Sequence, residues 1–458
     1  MSAEFSMSLS EIAIASGARL VGADATITGV TTDSRRAQAG DLFVAIKGDK
    51  FDAHDFVADV AARGAAAVMV SRQMPGLAVA QLIVPDTRMG FGAVGKLWRA
   101  QFKAPTIALT GSNGKTTVKE MLRAILAAHT GDANAVHATE GNLNNDIGVP
   151  QMMLRQRAHH RFAIYEMGMN HLLEIDHLTR LVEPDVALVI NAGTAHIGEL
   201  GSREAIAQAK GEIFGGLKQG GIAVINMHDR FGAYWQGIAA KHRQLTFGVA
   251  AEDDVQGHFT ESGIRIRRRG EDAIIALHVP GEHNQRNALA AAAGAIALAV
   301  PLSTVAIALS NFKGVPGRLR EFSGHNSATI IDDTYNANPD SAKAAIDVLA
   351  ARKPPRILVM GDMGELGPDA PAMHRDVGAY AREAGIDALY ALGQDARGMA
   401  ETFGANALHF SDHAALAAAL KARLNKDTQV LVKGSRFMQM ERVVAELVPD
   451  YHAHSGSH

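Results

Sequence analysis

The chain has 458 residues, of which 47% are hydrophobic and 20% are charged, and it carries a formal net charge of −3. Such a composition indicates an ordinary globular protein of roughly two to four domains, and the mixed charge gives no sign of a nucleic-acid partner. Because cysteine is absent, disulfides, thiolate nucleophiles and cysteine-ligated metal centres are excluded.

The sequence predicts neither an export signal nor a membrane span. The N-terminal segment contains an acidic residue and lacks the long apolar core of a signal peptide. The alanine-rich apolar run at 288–300 is too short to cross a bilayer, and it predicts a buried helix instead. We therefore expect a cytoplasmic protein without stable membrane insertion.

Residues 1–84 predict a small α/β domain. Ser34 and Arg35 lie in the connection between its first two strands, next to Asp33. A hydroxyl, a guanidinium and a carboxylate in so short a segment suit a polar ligand such as a nucleotide diphosphate, although an Asp-Ser pair is also common in turns. The predicted elements are a helix at 11–16 that Ser10 caps, a helix at 58–63, and strands at 27–30, 42–46 and 66–70.

Residues 85–317 alternate strands and helices, the pattern of a mostly parallel sheet with helices on both faces. Between the first strand and the helix that follows it lies the sequence TGSNGKTT, at 110–117. The predicted elements that frame it are a helix at 90–102 and strands at 106–110, 162–166, 186–190 and 222–226.

The TGSNGKTT sequence predicts a phosphate-binding loop. Glycines let backbone N–H groups approach an anion, the following helix contributes its positive N-terminal end, and Lys115 adds a full charge. Thr116 offers a hydroxyl to the Mg²⁺ that accompanies nucleotide phosphates. Leu109 stands where the usual pattern has its first glycine, so the loop is a shortened variant. The predicted nucleotide-binding residues of this loop are Gly111, Ser112, Asn113, Gly114, Lys115, Thr116 and Thr117.

Further polar residues follow the strands of this domain, at the sheet edge where open α/β sheets bind ligands. Glu166 ends a strand, and with Thr116 it supplies the oxygen ligands that Mg²⁺ prefers. His196 follows the next strand, and Lys210 lies on a later helix. Judged alone, His196 is better explained as a capping or core histidine, and Lys210 as a solvated lysine.

Three other segments of the middle domain contain candidate binding residues or a predicted hinge. The loop at 140–150 is unusually rich in amides, among them Asn142 and Asn145. Asn287, at the start of the alanine-rich helix, offers its amide either to a purine edge or as a helix cap. Arg318 follows a Gly/Pro-rich segment that predicts a hinge before the last domain.

Residues 318–458 predict a third α/β unit. Polar loops follow three of its strands, and the first of these loops contains Asp333, Asn336 and Asn338. Polar loops at neighbouring strand ends indicate a binding edge that faces another domain. The tail from 451 onward, rich in His and Ser, is predicted to be disordered. The predicted strands are 328–331, 356–360, 388–392 and 429–432.

The order of eight motifs resembles that of the ATP-dependent Mur ligases of peptidoglycan synthesis. The motifs are TGSNGKTT, YEMGMN, NAGTAHIG, AKGE, HNQRN, PGRLR, DDTYNANP and GDMGELG, and they extend the resemblance over nearly the whole chain. The resemblance implies an α/β protein with three domains: a UDP-sugar-binding domain at 1–84, a central P-loop domain with a mostly parallel sheet at 85–317, and a Rossmann-like C-terminal domain for the incoming dipeptide at 318–458.

The same resemblance implies roles for individual residues in ATP and metal binding. Lys115 contacts the ATP phosphates, Thr116 and Glu166 hold one Mg²⁺, and His196 helps to hold a second. Lys210 is expected to be carbamylated, which turns a cation into an anion suited to Mg²⁺. Asn287 is expected at the adenine, Arg318 at the phosphates and Asp333 at the ribose. The implied catalytic residues are Lys115, Glu166, His196, Lys210 and Arg318.

Substrate contacts are implied for three regions. Ser34 and Arg35 fall where the family binds the UDP-sugar, and Asn142 and Asn145 are expected to contact substrate from the amide-rich loop. Asn336 and Asn338, with the GDMGELG loop, are expected near the incoming dipeptide and the peptide tail.

DDTYNANP and GDMGELG favour the family member that adds D-alanyl-D-alanine to UDP-N-acetylmuramoyl-tripeptide through an acyl phosphate, forming UDP-N-acetylmuramoyl-pentapeptide. Alternatives are another Mur ligase, a folylpolyglutamate synthase-like amide ligase, or a P-loop ATPase without ligase activity. We expect a monomer that binds ATP, Mg²⁺, the UDP-linked tripeptide and the dipeptide.

Overall fold

The computed structural model describes residues 5–48 and 51–451, so the disorder expected from 451 onward lies outside the described residues except at its first residue. There the expectation is wrong, because the Tyr451 ring packs on Phe322 and its hydroxyl donates to Asp332 Oδ2 at 2.8 Å. These residues form three α/β units, each built on one main sheet. The predicted α/β class with a mostly parallel central sheet is confirmed.

The first unit contains a five-stranded sheet in the order β2-β7-β6-β5-β4, with β2 antiparallel to β7 and the other neighbours parallel. A separate short pair joins β1 to β3. Its strands are β1 (Met7–Ser8), β2 (Arg19–Val21), β3 (Thr26–Ile27), β4 (Gly29–Thr31), β5 (Asp41–Val44), β6 (Ala67–Val70) and β7 (Ala80–Ile83), and its helices are α1 (Leu9–Ser16) and α2 (Val57–Ala62).

Two predictions for this unit were wrong in detail. Helix α1 begins earlier than predicted because Ser8, and not Ser10, caps it: the Ser8 side chain accepts the N–H of Glu11, whose carboxylate accepts the N–H of Ser8. The predicted strand at 27–30 is two strands, since β3 pairs with β1 and β4 pairs with β5.

Helix α3 (Thr87–Arg99) joins the first unit to the second. It begins three residues before the predicted start because Asp86 accepts the N–H groups of Arg88 and Met89. Its buried residues Phe91, Val94 and Trp98 belong to the same hydrophobic cluster as core residues of the first unit. The first and middle units therefore share a core.

The middle unit contains a nine-stranded sheet in the order β16-β15-β14-β13-β12-β11-β8-β10-β9. Strands β8 to β14 run parallel, and β15 and β16 extend the sheet antiparallel. The strands are β8 (Thr106–Thr110), β9 (Val136–Ala138), β10 (Phe162–Glu166), β11 (Val186–Val189), β12 (Ile222–Asn226), β13 (Arg243–Gly248), β14 (Val255–Thr260), β15 (Gly263–Arg268) and β16 (Glu271–Ala276).

Helices cover both faces of this sheet. Side chains alternate between the faces along β8, so that Ile107 and Leu109 pack into one cluster and Ala108 into the other. The alanine-rich helix α10 is buried on the same face as α4, as the apolar run at 288–300 predicted. The helices are α4 (Lys115–Thr130), α5 (Gly148–Arg155), α6 (Glu174–Val182), α7 (Ile197–Leu200), α8 (Arg203–Gly211), α9 (Gly232–Ile238), α10 (Glu282–Ala297) and α11 (Leu302–Ser310).

The third unit has a six-stranded sheet in the order β17-β18-β22-β19-β20-β21, in which β17 alone is antiparallel to its neighbour. All residues of its two core clusters lie at or after Leu319. Its elements are β17 (Arg320–Ser323), β18 (Thr329–Asp333), α12 (Pro339–Ala350), β19 (Arg356–Gly361), α13 (Ala370–Glu383), β20 (Ala388–Leu392), α14 (Ala396–Phe403), β21 (Ala407–Phe410), α15 (His413–Lys421), β22 (Gln429–Lys433) and α16 (Glu441–Leu447).

The arrangement brings the carboxyl ends of two parallel sheets to one cleft. Strands β8 and β10 of the middle unit end there, and the loops after β18, β19 and β22 of the third unit face them. In the part of the chain that the structure describes, no helix has the length and apolarity needed to span a membrane.

Candidate active site

The loop between β8 and α4 has a conformation that its sequence requires. Gly114 has a φ of +82°, and a Cβ there would lie 2.2 Å from Oδ1 of Asn287. Asn191, just after β11, fixes the loop from the other side: its Oδ1 accepts the Asn113 N–H at 3.0 Å, and its Nδ2 donates to the Asn113 carbonyl at 3.0 Å. The loop is therefore held rigidly at the start of α4, where backbone N–H groups can receive an anion.

The Lys115 side chain folds back onto this loop. Its Nζ donates to the Gly111 carbonyl at 2.7 Å. Burial lowers the pKa of the Lys115 ammonium, while the nearby Glu166 carboxylate acts in the opposite direction. A partly buried cation at the N-terminus of a helix suits a phosphate group.

Glu166 is oriented by two contacts. Its Oε1 accepts a hydrogen bond from Asn144 Nδ2 at 2.9 Å, and its own N–H donates to Thr139 Oγ1 at 2.9 Å. Its other oxygen, Oε2, is buried and has no hydrogen-bond partner among residues 5–48 and 51–451. A buried carboxylate oxygen without a donor fits a bound cation.

The donor set around Glu166 fits Mg²⁺ better than a transition metal. Within the described ranges, no group of three or more His, Cys, Asp or Glu side chains is placed to hold a metal ion. Mg²⁺ typically takes one or two carboxylates, with phosphate and water oxygens completing its shell. The hydroxyl of Thr116 lines the same cleft as Glu166.

Lys210 is buried at the end of α8, with 1% of its surface exposed, so the solvated lysine expected from its residue type alone is wrong. Burial lowers the pKa of its ammonium well below the usual value, and the neighbouring Lys115 cation lowers it further. Such an environment favours the neutral amine. Neither Lys210 nor Gly111 is among the residues that line the cleft.

His196 lines the cleft between the middle and third units. It has a φ of +65° and precedes α7, and its side chain does not cap that helix. Its Nδ1 lies 2.9 Å from Oε2 of Glu365 on the third unit. This histidine holds the pKa of the Glu365 carboxyl below its usual value.

Arg318 reaches the phosphate-binding loop from the linker between the two units. Its Nη2 donates to Thr116 Oγ1 at 3.1 Å, and its guanidinium carbon lies 4.3 Å from the centre of the Tyr335 ring. The aromatic face keeps the guanidinium directed into the cleft.

Two predicted nucleotide contacts line the same cleft. Asn287 is buried inside α10, which begins at Glu282, so the helix-cap interpretation of this residue is wrong. Its Nδ2 donates to Asn284 Oδ1 at 3.2 Å. Asp333 pairs with Lys433, whose Nζ lies 2.7 Å from its Oδ2.

The predicted substrate residues divide into two groups. Asn142, Asn145, Asn336 and Asn338 line the cleft, and the side-chain oxygens of the last three also accept backbone N–H groups. Asn145 Oδ1 accepts the N–H of Gly148 at 2.8 Å. Asn338 caps α12, and its Nδ2 donates to Asn113 Oδ1 at 2.7 Å.

Ser34 and Arg35 lie in the first unit, away from the walls of this cleft. The exposed Arg35 pairs with Asp33, with Nε 2.9 Å from Oδ1. This hydrogen bond lowers the pKa of Asp33 to about 2. The structure therefore does not bring these two residues to the phosphate-binding loop.

Sequence reasoning gave no individual role to four residues that shape the site: Asn144, Asn191, Asp340 and Glu365. Of these, Glu365 lies in the GDMGELG loop that was expected near the dipeptide. Asn144 and Asn191 had a visible signal, since amides at strand ends and in an amide-rich loop are unusual. Asp340 had none, because an acidic residue in the first turn of a helix is ordinary.

The cleft has a volume of about 1420 Å³, more than the ~300–1,000 Å³ of a typical single-ligand pocket. The chain has three α/β units, and two of them meet at a cleft that holds the predicted phosphate-binding loop and cations from two segments. These features are those of a multidomain nucleotide-binding protein of the P-loop type. Comparisons with known proteins narrow this class.

Family models match most of the chain. A Mur ligase family catalytic domain matches residues 26–86, a Mur ligase middle domain matches 109–295, and a Mur ligase glutamate ligase domain matches 317–436. The UDP-N-acetylmuramoyl-tripeptide–D-alanyl-D-alanine ligase of Escherichia coli K12 is 41% identical, over 96% of this chain and 98% of its own. The chain belongs to the Mur ligase family.

Solved structures agree in fold. A crystal structure of MurF from Acinetobacter baumannii is 37% identical and superposes with a TM-score of 0.88, covering 95% of this chain and 97% of its own. MurF ligase from Thermotoga maritima in complex with ADP is 26% identical, with a TM-score of 0.80 over 91% of this chain and 96% of its own. The three-unit architecture is that of these ligases.

Proposed function

We propose that this chain is an ATP-dependent ligase that joins D-alanyl-D-alanine to UDP-N-acetylmuramoyl-tripeptide, forming the pentapeptide precursor of peptidoglycan. The observation that carries the proposal is the 41% identity, over nearly the full length of both chains, to the Escherichia coli ligase of that name. The substrates include ATP and a UDP-sugar, which are cytoplasmic metabolites, so the proposal places the enzyme in the cytoplasm.

In the proposed reaction the terminal carboxylate of the tripeptide attacks the γ-phosphorus of ATP, and ADP leaves. The amine of D-alanyl-D-alanine then attacks the acyl phosphate, loses its proton, and phosphate leaves the tetrahedral intermediate. Because two anions must meet in the first step, the main catalytic demand is neutralisation of charge. We assign this role to Lys115 and Arg318, and the assignment is supported by their position in the lining of the cleft.

ATP is proposed at the loop between β8 and α4. The structure of a Thermotoga maritima relative in complex with ADP supports nucleotide binding by this fold. Gly111 to Thr117 would bind the phosphates, Asn287 the adenine and Asp333 the ribose. Asn287 is in contact with the loop itself, because its Oδ1 occupies the space beside Gly114. The base and the phosphates would therefore be held by one rigid assembly.

Mg²⁺ is proposed beside Glu166, with Thr116 as a second ligand and His196 and Lys210 serving a second ion. When bound, Mg²⁺ would neutralise the charge that develops on the phosphate oxygens. Lys210 fits this role as a carbamate. The neutral amine is the form that reacts with CO₂, and the burial that lowers the pKa of Lys210 favours it.

The remaining assignments follow the family pattern. The first unit, with Ser34 and Arg35, is proposed to hold the UDP-sugar, and the third unit, with Asn336, Asn338 and the loop at 361–367, to hold the dipeptide. Asn142 and Asn145 would contact the peptide between them.

One assay tests the proposal. Phosphate release is measured with ATP, Mg²⁺, UDP-N-acetylmuramoyl-tripeptide and D-alanyl-D-alanine, and each component is omitted in turn. We expect release to require all four and the product to be the pentapeptide. Release that is indifferent to the dipeptide would favour an ATPase, and acceptance of a single amino acid in its place would favour another amide ligase.

A further inference from the structure

The segment that carries His196 is a tight turn. The carbonyl of Thr194 accepts the N–H of Ile197 at 3.2 Å, and His196 lies inside this turn with a φ of +65°. A residue other than glycine in this conformation needs support from its surroundings. The contacts of residues 193–198 show where that support comes from.

Ala192, just before the turn, is fixed by hydrogen bonds within the middle unit. The N–H of Ala192 donates to Asp229 Oδ2 at 3.0 Å, and its carbonyl accepts from Arg203 Nη2 at 3.1 Å. Asp229 and Arg203 both belong to the middle unit, so this part of the chain keeps its anchors whether or not the third unit is docked.

Beyond Ala192 the His196 carbonyl accepts the N–H groups of Glu199 and Leu200 in α7, and the remaining support comes from the third unit. Asp340 Oδ2, in the first turn of α12, accepts both the N–H of Thr194 at 2.7 Å and its hydroxyl at 2.9 Å. At the other end of the turn, the N–H of Gly198 donates to the Glu365 carbonyl at 3.2 Å. The His196 turn is therefore held at both ends by a unit other than its own.

Two glycines permit this contact. A Cβ at Gly193 would lie 2.5 Å from Asp340 Oδ2, and one at Gly198 would lie 2.4 Å from the N of Gly367. Both positions therefore require glycine because of the space that the third unit occupies, and the two surfaces fit closely at these points.

We propose that Asp340 is a positioning residue that sets the His196 turn when the third unit docks on the middle unit. One carboxylate oxygen receives two donors from Thr194, and the turn that begins at Thr194 presents the His196 side chain to the cleft. Docking of the third unit and completion of the site are thereby the same event. The effect on turnover rests on the proposed function, whereas the effect on the turn does not.

The first test measures the turn directly. Amide hydrogen exchange of the segment 193–198 is followed in the full chain with AMP-PNP and Mg²⁺. We expect exchange about tenfold or more faster in Asp340→Ala than in the parent, because two hydrogen bonds to a charged acceptor are lost. Asp340→Asn keeps an oxygen that can accept both donors, so its exchange should stay within about threefold of the parent.

The matched control is Asp347→Ala, on the same helix. Asp347 accepts a hydrogen bond from Tyr380 at 2.6 Å and lies outside the cleft. It should leave exchange at 193–198 unchanged. Thr194→Val approaches the contact from the other side, since it removes the hydroxyl donor and keeps the N–H; it should show an intermediate increase, and Thr194→Ser should restore the parent rate.

The second test separates turnover from nucleotide binding. We expect Asp340→Ala to lower kcat by about tenfold and to change KM for ATP by less than about threefold, because the phosphate-binding loop is held by Asn191 of the middle unit. Asp340→Asn should recover most of kcat. Unchanged exchange at 193–198 in Asp340→Ala would overturn the proposal, as would an Asp340→Asn enzyme as impaired as Asp340→Ala.

The two tests also separate this inference from the proposed function. If the chain does not ligate D-alanyl-D-alanine, the exchange experiment still reports whether Asp340 orders the turn. If the ligase assay succeeds and exchange is insensitive to Asp340, the proposed function stands and the positioning role falls.

Discussion

Arg318 Nη2 donates a hydrogen bond of 3.1 Å to Oγ1 of Thr116, although the two residues are 202 positions apart in the sequence. The contact joins the linker before the third unit to the first turn of the helix that follows the phosphate-binding loop. Asn338 makes a second such contact, at 2.7 Å, with Asn113 of the loop itself. Docking of the third unit thus brings both a cation and an amide onto the predicted nucleotide site.

Replacement of Arg318 by alanine should lower kcat/KM for ATP by about 10²-fold, the usual loss when one preorganised donor to developing charge is removed. Steady-state phosphate release measures the effect, and Arg318→Lys should recover part of it. Arg320→Ala is the matched control, since the Arg320 guanidinium packs over the Phe322 ring at 5.0 Å. Equal activity of Arg318→Ala and Arg320→Ala would contradict a role for Arg318 at the phosphates.

Replacement of Lys210 by alanine should abolish most activity, and formate or acetate at high concentration should restore part of it. The physical reason is that a short carboxylate can occupy the buried space in which the proposed carbamate would lie. Activity is measured with and without added carboxylate. The exposed Lys241 offers a control, because Lys241→Ala should behave as the parent does in both conditions. A fully active Lys210→Ala enzyme would rule out the metal-bridging role.

The two ends of α4 provide a comparison between two glycines with positive φ. Gly114 has a φ of +82° and faces Asn287, whereas Gly131 has a φ of +71° and no atom within 4 Å of the point where a Cβ would lie. Gly131→Ala should cost only the left-handed strain, about 1–2 kcal/mol in the free energy of unfolding. Gly114→Ala should cost more and should also raise KM for ATP by about tenfold or more, since it displaces the Asn287 amide. Urea unfolding and ATP titration measure the two effects, and equal penalties at both positions would contradict the close approach.

Acid should destabilise the middle unit through His137. Burial lowers the pKa of His137 to about 3, and the nearby His160 acts in the same direction. Because the unfolded chain has a histidine pKa near 6.5, the stability contributed by the neutral form is complete above about pH 6.5. It is lost as the pH falls from there toward about 3.

For this single group the loss between pH 7.5 and pH 5 is about 2 kcal/mol. His137→Gln removes the proton-binding site and can still donate to the Met152 carbonyl, which the His137 Nε2 contacts at 2.8 Å. Its unfolding free energy should therefore fall less than that of the parent over this pH interval. His258→Gln, at an exposed position on β14, should keep the pH dependence of the parent.

Much of the fold could be predicted because its main strands are buried apolar runs. The predicted bounds of β8, β10, β12 and β20 agree with those of the structure. Strands β13, β14 and β16 were not predicted, because polar and charged side chains interrupt the apolar pattern at this side of the sheet. The basic run at 265–269 predicted the exposed face of a strand, and β15 confirms it: the exposed Arg265 and Arg267 alternate with the buried Ile266.

The parts of the candidate site that lie in one continuous segment could be predicted from the sequence. The parts that depend on contacts between the middle and third units could not. The loop from Gly111 to Thr117 could be recognised from its own residues. The contact between Asp340 and Thr194 spans 146 positions, and no periodicity links the two residues. For Lys210, only the fold reveals the burial that distinguishes it from an ordinary surface lysine.

The core shared by the first and middle units has a consequence for how the chain can be divided. A break near residue 86 would expose the apolar face of α3, with Phe91 and Trp98, together with the core that it covers in the first unit. A break near Gly314 would separate a unit whose core clusters begin at Leu319 and whose contacts with its neighbour include many polar ones. The boundary near Gly314 is therefore the better place to divide the chain. We expect two polypeptides divided there to reassociate into an active protein.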